Sequence, residues 1–250
     1  MILNIRAERL KMKHTFGSIL PQTAALLTLV LTLGLAYGNE YYSANAWNWW
    51  YVMLLPGMLC VLCCLGIKRE KKMHYCNLLS LPVSTERCLM AKIVCYAMGL
   101  CTANLIIAAG TFAAGRLWGS DIPLMNGFAA AILLCICYLW EIPLFLWLGA
   151  RFGTFISLFS CMVLSAVGVG LLADSDLWWL FPAAIPVRLM CPVLGIMPNG
   201  LLVSPDSPLR DAGIILPGIL ICLIWFVFMT YVSIRRLIPA FYGAYGTGIT

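Results

Sequence analysis

The sequence predicts an all-α integral membrane protein with six transmembrane helices, and three observations lead to this prediction. Hydrophobic residues make up 62% of the chain and charged residues only 10%, whereas about a quarter of a soluble domain is charged. Six apolar runs approach the length of about 20 residues that a helix needs to cross a bilayer. Basic residues collect in alternate connecting segments. We therefore expect residues 1–250 to form one membrane domain with both termini in the cytoplasm.

The distribution of charge sets the orientation of these spans. With the N-terminus inside, 13 of the 16 Lys and Arg residues fall in cytoplasmic segments, and six of the ten acidic residues fall outside. This asymmetry follows the positive-inside rule, so the net charge of +6 indicates orientation and not nucleic-acid binding. The predicted spans are Phe16–Tyr37, Trp49–Ile67, Ile93–Leu117, Gly127–Ala150, Phe152–Leu172 and Ala212–Ile234.

Residues 1–15 are basic and precede the first span. The basic region is too long for a cleavable signal peptide, the apolar run after it is of span length, and no clear A-x-A cleavage site follows. Ile5, Leu10 and Met12 alternate loosely with charged residues. This pattern predicts a short helix that lies in the membrane interface.

Residues 68–92 form a basic, Pro-broken segment between the second and third predicted spans. Met73, Cys76 and Leu79 recur every third residue, which predicts a short amphipathic helix. Pro82 would end that helix, and Ser84 would cap the next one. A helix lying beneath the membrane domain is suited to receive force from a soluble partner. The alternative is a loop that only sets topology.

The sequence contains no recognisable catalytic or metal-binding motif. It lacks HExxH and GxSxG, and no Lys follows a Gly, so there is no Walker A loop. Cys60, Cys63 and Cys64 lie within a span without His or carboxylate partners, so they are interpreted as small apolar residues of the core. We expect no catalytic residue, no metal and no cofactor bound by this chain.

Glu141 is the one acidic residue within a predicted span. An intramembrane carboxylate is a functional candidate, here as a proton-coupling group or a gate. The alternative, which we favour, is a neutral side chain that hydrogen-bonds a neighbouring helix near a kink at Pro143. A proton-driven carrier usually needs a partner charge in another span, and the one charged residue within another predicted span, Arg116, stands at the outer end of the third.

Two outer segments are rich in aromatic residues. Trp49 and Trp50 belong to the first, which is most simply an interfacial belt. The second, residues 174–211, is apolar but broken by proline, so it predicts re-entrant or interfacial helices before the sixth span. This segment would either meet an amphipathic substrate or act as a lid that seals the domain. The candidate substrate-facing residues are Trp49, Trp50, Trp178, Trp179, Arg188 and Asn199.

This layout resembles the ABC-2 type of ABC-transporter permease. The stretch EKKMHYCNLLSLPVSTERCLMAK is similar to the family's coupling-helix pattern, in which an acidic residue precedes LL-x-x-P-[VI]-S and a Lys opens the third span. The matching positions are Glu70, Leu78, Leu79, Pro82, Val83, Ser84 and Lys92. The resemblance implies that the coupling segment contacts an ATPase through Glu70, Met73, Tyr75, Cys76, Leu78, Leu79 and Pro82.

More specifically, the chain resembles the lantibiotic-immunity permease subunits of the MutE/EpiE family. The stretches that carry this resemblance are NWWYVMLLPGML, NLLSLPVS, LWEIPLFLWLG and WWLFPAAIPVRLMCPVLGIMPNG. It implies a non-enzymatic half-transporter in the cell membrane of a Gram-positive bacterium, paired with a second, homologous permease, with a homodimer as the alternative. A separate ATPase would bind ATP and Mg²⁺, and the complex would expel a cationic antimicrobial peptide. The alternatives are an ABC-2 exporter of another amphiphile, such as a lipid or drug, and a non-transporting membrane scaffold.

Overall fold

The computed structural model describes residues 2–36, 39–75, 84–119, 122–204 and 206–247, and over these ranges the chain is helical. The described α-helices are α1 (Ile2–Met12), α2 (Phe16–Ala36), α3 (Tyr42–Trp49), α4 (Leu55–Lys72), α5 (Thr85–Trp118), α6 (Leu124–Cys137), α7 (Glu141–Val167), α8 (Ala184–Leu194) and α9 (Ile215–Thr247). Short π-helical turns follow α3 and α7, and 3₁₀ turns flank α8.

Five helical stretches among the described residues are long and apolar enough to cross a membrane. They are Phe16–Ala36, Tyr42–Lys72, Thr85–Trp118, Glu141–Leu172 and Ala212–Pro239. The fourth predicted span, Gly127–Ala150, is not one helix, because α6 ends at Cys137 and a turn precedes α7. Pro143 explains the break, since proline cannot donate to the carbonyl four residues earlier and its ring clashes there. The count of six spans stays a prediction.

The chain reverses direction within α7. Gly153 has φ 83° and ψ 179°, a conformation that is open essentially to glycine alone. Leu144 and Leu148, before the break, line the same cavity as Phe159 and Val163 after it. The two parts of α7 therefore lie side by side, and the reversal occurs close to Arg151, which separates the predicted fourth and fifth spans.

Helix α4 lies at the centre of the core and is preceded by a π-helical turn at Trp50–Leu54. In this turn the N–H of Leu55 bonds the Trp50 carbonyl, and Pro56 has no N–H to offer the Tyr51 carbonyl. The hydroxyl of Tyr138 donates to that carbonyl instead. Because an unpaired buried carbonyl is costly, this bond fixes the entry of α4 against the start of α7.

Two ends of the molecule can be distinguished. At one end, which we call the basic end, α1 packs against the end of α4 and the beginning of α5. The other end, which we call the acidic end, carries the exposed side chains of Glu40, Asp174, Asp176, Asp206 and Asp211. There Asn126 donates to the Val193 carbonyl at 2.8 Å and Asn48 donates to the Pro198 carbonyl at 3.3 Å. These bonds hold α8 and the turn after it over the ends of α3 and α6.

Close packing at Gly66 yields the first prediction. A Cβ at Gly66 would overlap the hydroxyl of buried Tyr96 and approach its Cζ to 3.0 Å. We expect Gly66→Ala to lower the free energy of unfolding by about 1–3 kcal/mol, the usual cost of overpacking. Tyr96→Phe in the same chain should restore part of the loss, because it removes the overlapping oxygen.

The matched control is Gly57→Ala on the same helix, where no atom of the described residues lies within 4 Å of the added Cβ. Alanine favours helix over glycine by up to about 1 kcal/mol, so this variant should be neutral or stabilising. Thermal unfolding in detergent compares the four proteins. Equal midpoints for Gly66→Ala and Gly57→Ala would contradict the predicted contact.

Candidate functional site

Four charged side chains from three helices meet at the basic end, and we call this group the ion cluster. The Nζ atom of Lys92 lies 2.9 Å from Glu70 Oε1 and 3.3 Å from Glu8 Oε2. The Nζ atom of Lys11 lies 2.7 Å from Glu8 Oε1 and 3.4 Å from Glu70 Oε1. Each ammonium group therefore bridges both carboxylates, and the cluster as a whole carries no net charge.

The cluster is buried, and this makes its pairing obligatory. Glu8, Glu70 and Lys92 are each no more than 3% exposed. Taking such charges out of water costs several kcal/mol per ion unless each is paired and hydrogen-bonded. Helix α1 contributes Glu8 and Lys11, the last turn of α4 contributes Glu70, and the second turn of α5 contributes Lys92. The three helices can separate only by exposing or unpairing these charges.

Further bonds tie α1 to the same two helices. Arg69 donates from Nη1 to the Lys11 carbonyl at 2.6 Å, which also occupies an orphan carbonyl at the end of α1. The thiol of Cys95 lies 3.5 Å from the Ile5 carbonyl. The N-terminal helix is thus fixed against both helices that enclose residues 73–84.

The first half of the predicted coupling segment departs from the expected amphipathic helix. Helix α4 continues to Lys72 and then ends in two consecutive left-handed residues, His74 (φ 47°) and Tyr75 (φ 57°). Such residues do not occur consecutively inside a right-handed helix, so the helix predicted through Met73 is wrong at residues 73–75. On the other side of the segment, Ser84 occupies the N-cap position of α5 as predicted, but without a side-chain capping bond.

The predicted ATPase-contacting residues differ in their surroundings. Glu70 is buried in the ion cluster, and Tyr75 is buried against Phe241 with ring centroids 4.6 Å apart. Burial raises the pKa of the Tyr75 phenol above its usual value, and the nearby Glu70 carboxylate acts in the same direction. Met73 is 47% exposed. Cys76, Leu78, Leu79 and Pro82 lie outside the described residues.

The candidate substrate-facing residues also differ in their exposure to solvent. Trp50 is wholly buried and donates from Nε1 to Asn104 Oδ1 at 2.7 Å, so it does not face outward in this structure. Trp49 and Trp179 are exposed, Trp178 is half-buried, and Asn199 is exposed with its Oδ1 accepting from the Leu201 N–H. Arg188 is half-buried, and its Nε and Nη1 have no hydrogen-bond partner among the described residues.

Glu141 is buried at the first residue of α7. Its Oε2 has no hydrogen-bond partner within the described part of the chain, and each ion pair found there involves Lys11 or Lys92. The expected kink at Pro143 is present beside it as the turn before α7. No group of three potential metal ligands occurs within the described ranges.

Sequence reasoning recognised Glu70 and Lys92 but missed Glu8 and Lys11. One signal was available, because Glu8 is the only acidic residue among the basic residues of the first 15 positions, and it stands three residues before Lys11. Residues three apart share a helix face. Nothing in the sequence, however, indicated which distant helix that face would contact.

A family model described as ABC-2 family transporter protein matches residues 4–169. This match covers most of the chain and includes α1, the coupling segment and the ion cluster. The chain therefore belongs to the ABC-2 family and is a permease component of a transporter, in a family that associates with an ABC ATPase subunit. No curated protein and no solved structure matches the chain.

The ion cluster gives the second prediction. Glu70→Gln would leave Lys92 and Lys11 sharing the single carboxylate of Glu8, and we expect it to lower the free energy of unfolding by about 3–5 kcal/mol, as when one partner of a buried pair is removed. Glu86→Gln is the control, because Glu86 is exposed at the same end and surface changes usually stay within about 0.5 kcal/mol.

Denaturant unfolding in mixed micelles measures both variants. A Glu70→Gln protein as stable as Glu86→Gln would show that the cluster does not hold the three helices together.

Proposed function

We propose that this chain is the membrane half of an ABC exporter that expels a cationic, amphipathic antimicrobial peptide of the lantibiotic type. In this proposal residues 68–92 contact a separate ATPase, which holds ATP and Mg²⁺. A second permease, homologous or identical to this one, completes the membrane domain. The single observation that carries the proposal is the ion cluster at both roots of the coupling segment, within the ABC-2 family match.

A segment that receives force must have fixed attachment points. The Lys92–Glu70 pair joins the helix that enters the coupling segment to the helix that leaves it, and α1 is joined to both. A push on residues 76–83 would therefore move α4 and α5 together instead of bending one connection. A loop that only set topology would not need buried charges at its two roots, whose burial carries a desolvation cost.

The acidic end supports a cationic peptide as substrate. The side chains of Glu40, Asp174, Asp176, Asp206 and Asp211 are exposed there. The Arg188 guanidinium is half-buried, and Arg210 donates from Nη2 to the Val203 carbonyl at 3.2 Å. Arg116 and Arg210 are also exposed at this end, so the five carboxylates leave the exposed surface with a net negative charge. A surface with a net negative charge attracts cationic ligands. Exposed Trp49 and Trp179 add aromatic surface of the kind that lies at the membrane–water boundary.

The third prediction tests coupling. Leu78→Ala with Leu79→Ala should abolish association with the ATPase and resistance to the peptide, because buried apolar anchors contribute about 1–3 kcal/mol each at an interface. Lys71→Gln with Lys72→Gln should leave both largely intact, because these lysines are exposed and rim charges contribute little. The measurement is pull-down of the ATPase from membranes that contain equal amounts of each variant.

A topology-only loop predicts the reverse, with dispensable leucines and lysines that matter through orientation. Normal binding and resistance in the leucine variant would remove the coupling role. If the chain is a scaffold that does not transport, neither the leucine double variant nor the lysine double variant would show ATPase activity in its complex.

The fourth prediction tests the substrate class. Stimulation of the ATPase by a cationic lantibiotic should require about tenfold more peptide when Asp174, Asp176 and Asp206 are all replaced by Asn. The difference from the unmodified complex should shrink at high salt, because exposed charges are screened. The measurement is ATP hydrolysis by the purified complex at two ionic strengths.

Stimulation by a neutral lipid or drug, with none by any cationic peptide, would assign the permease to an exporter of another amphiphile. It would leave the coupling argument unchanged, since the coupling segment lies at the opposite end of the helices.

A further inference from the structure

A groove of about 590 Å³ opens at the basic end between α1, α2 and α5. Its mouth is lined by Arg6 and Arg9 of α1 with Lys13 just after that helix, and its inner part by Pro21 of α2 with Met98 and Thr102 of α5. It is distinct from the ion cluster, although both use α1.

Helix α1 has two faces that differ in charge. Arg6, Arg9, Leu10 and Lys13 follow the spacing i, i+3, i+4, i+7 and lie on one face, which lines the groove. Glu8 and Lys11 lie on another face, where both form ion pairs within the ion cluster. The acidic residue of α1 is therefore unavailable to neutralise the three basic residues at the mouth.

These three basic side chains are exposed. Within the described residues none of them has a carboxylate oxygen within 4 Å, since the ion pairs there all involve Lys11 or Lys92. Three cations spaced over two helical turns at one mouth match the chemistry of a phosphate group with several acceptor oxygens.

The inner part of the groove runs along the helices and is mostly apolar, with Ser18, Gln22 and Thr102 as its polar residues. From Cys95 to Thr102 the wall advances seven residues along α5, or about 10 Å of helix. A free anion would leave this part unfilled, whereas an acyl chain would fill it. The mouth lies at the end of the molecule that carries most of the basic residues, which the positive-inside rule places in the cytoplasm.

We propose that this groove binds an anionic phospholipid of the cytoplasmic leaflet. Its phosphate contacts Arg6, Arg9 and Lys13, and an acyl chain lies along Pro21, Met98 and Thr102. Because α1 also supplies Glu8 and Lys11 to the ion cluster, the bound lipid stabilises the helix that fixes both roots of residues 73–84. This site does not depend on which substrate the transporter moves.

The test uses the full chain purified in detergent, with phosphatidylglycerol added as the probe. The thermal midpoint should rise with phosphatidylglycerol, but not with phosphatidylcholine, glycerol 3-phosphate or inorganic phosphate. Replacing Arg6, Arg9 and Lys13 together by Gln should weaken the apparent affinity about 100-fold, from the usual contribution of a basic residue near an anionic membrane surface.

The matched control replaces Arg151, Arg235 and Arg236 by Gln. These residues are exposed and lie outside the groove lining. Replacing them removes the same amount of positive charge as the groove variant. This control should keep the response to phosphatidylglycerol. An equal loss in both triple variants would indicate general electrostatic attraction and would overturn the site.

A second variant tests the apolar part without altering charge. Thr102→Phe should fill the groove and reduce the midpoint shift, whereas Ala109→Phe, two turns further along an exposed face of α5, should not. The proposal is overturned if phosphatidylglycerol produces no shift, if phosphatidylcholine or phosphate alone produces the same shift, or if a cross-linker at position 102 captures a second permease in place of lipid.

Discussion

The basic end of this permease depends on the rule that a charge taken out of water must be paired. Lys92 is 2% exposed, and its ammonium group is satisfied only where Glu70 from α4 and Glu8 from α1 meet it. Lys11 completes the group from the accessible side. Because an unpaired buried ion is far more costly than a lost surface contact, this arrangement fixes three helices at once. The groove face of α1 and the two roots of residues 73–84 take their positions from it.

Helix α4 links this end to the opposite one. Its last turn carries Glu70, its middle packs closely against Tyr96 at Gly66, and the π-helical turn before it is held by the Tyr138 hydroxyl. At the first residue of that turn, Trp50 donates to Asn104 of α5. The last turn of α4 is thus joined to α5 by a buried ionic contact, and the π-helical turn before α4 is joined to the middle of α5 by a buried neutral one. Such bonds favour rigid movement of the pair over independent movement of either helix.

The acidic end has a different design. Its polar contacts include neutral bonds to backbone carbonyls, as from Asn48 to Pro198 and from Asn126 to Val193, and a bond from the Arg210 guanidinium to the Val203 carbonyl. Its acidic side chains stay in solvent, where they influence ligands by their field and not by packing. Residues beyond 169, including Trp179 and α8, lie outside the family match. Family membership therefore describes the coupling end better than the surface that would meet a substrate.

The sequence by itself determined the class of protein, the approximate helix positions and the basic end. These depend on composition, on runs of apolar residues and on charge sums, which are local properties of the chain. The reversal near residues 151–153 was also predictable, because Arg151 separates two apolar runs of span length and Gly153 follows it by two residues.

Only the tertiary structure decided which charges pair and which aromatic residues face outward. Trp49 and Trp50 are neighbours with the same chemistry, yet one is exposed and the other is buried against Asn104, 54 positions away. Glu8 pairs with Lys92, and Tyr75 packs against Phe241, across even longer separations in the sequence. The left-handed turn at residues 74–75 contains no glycine, so the sequence gives no local signal for it. Each of these outcomes depends on the relative position of distant helices, which local periodicity does not specify.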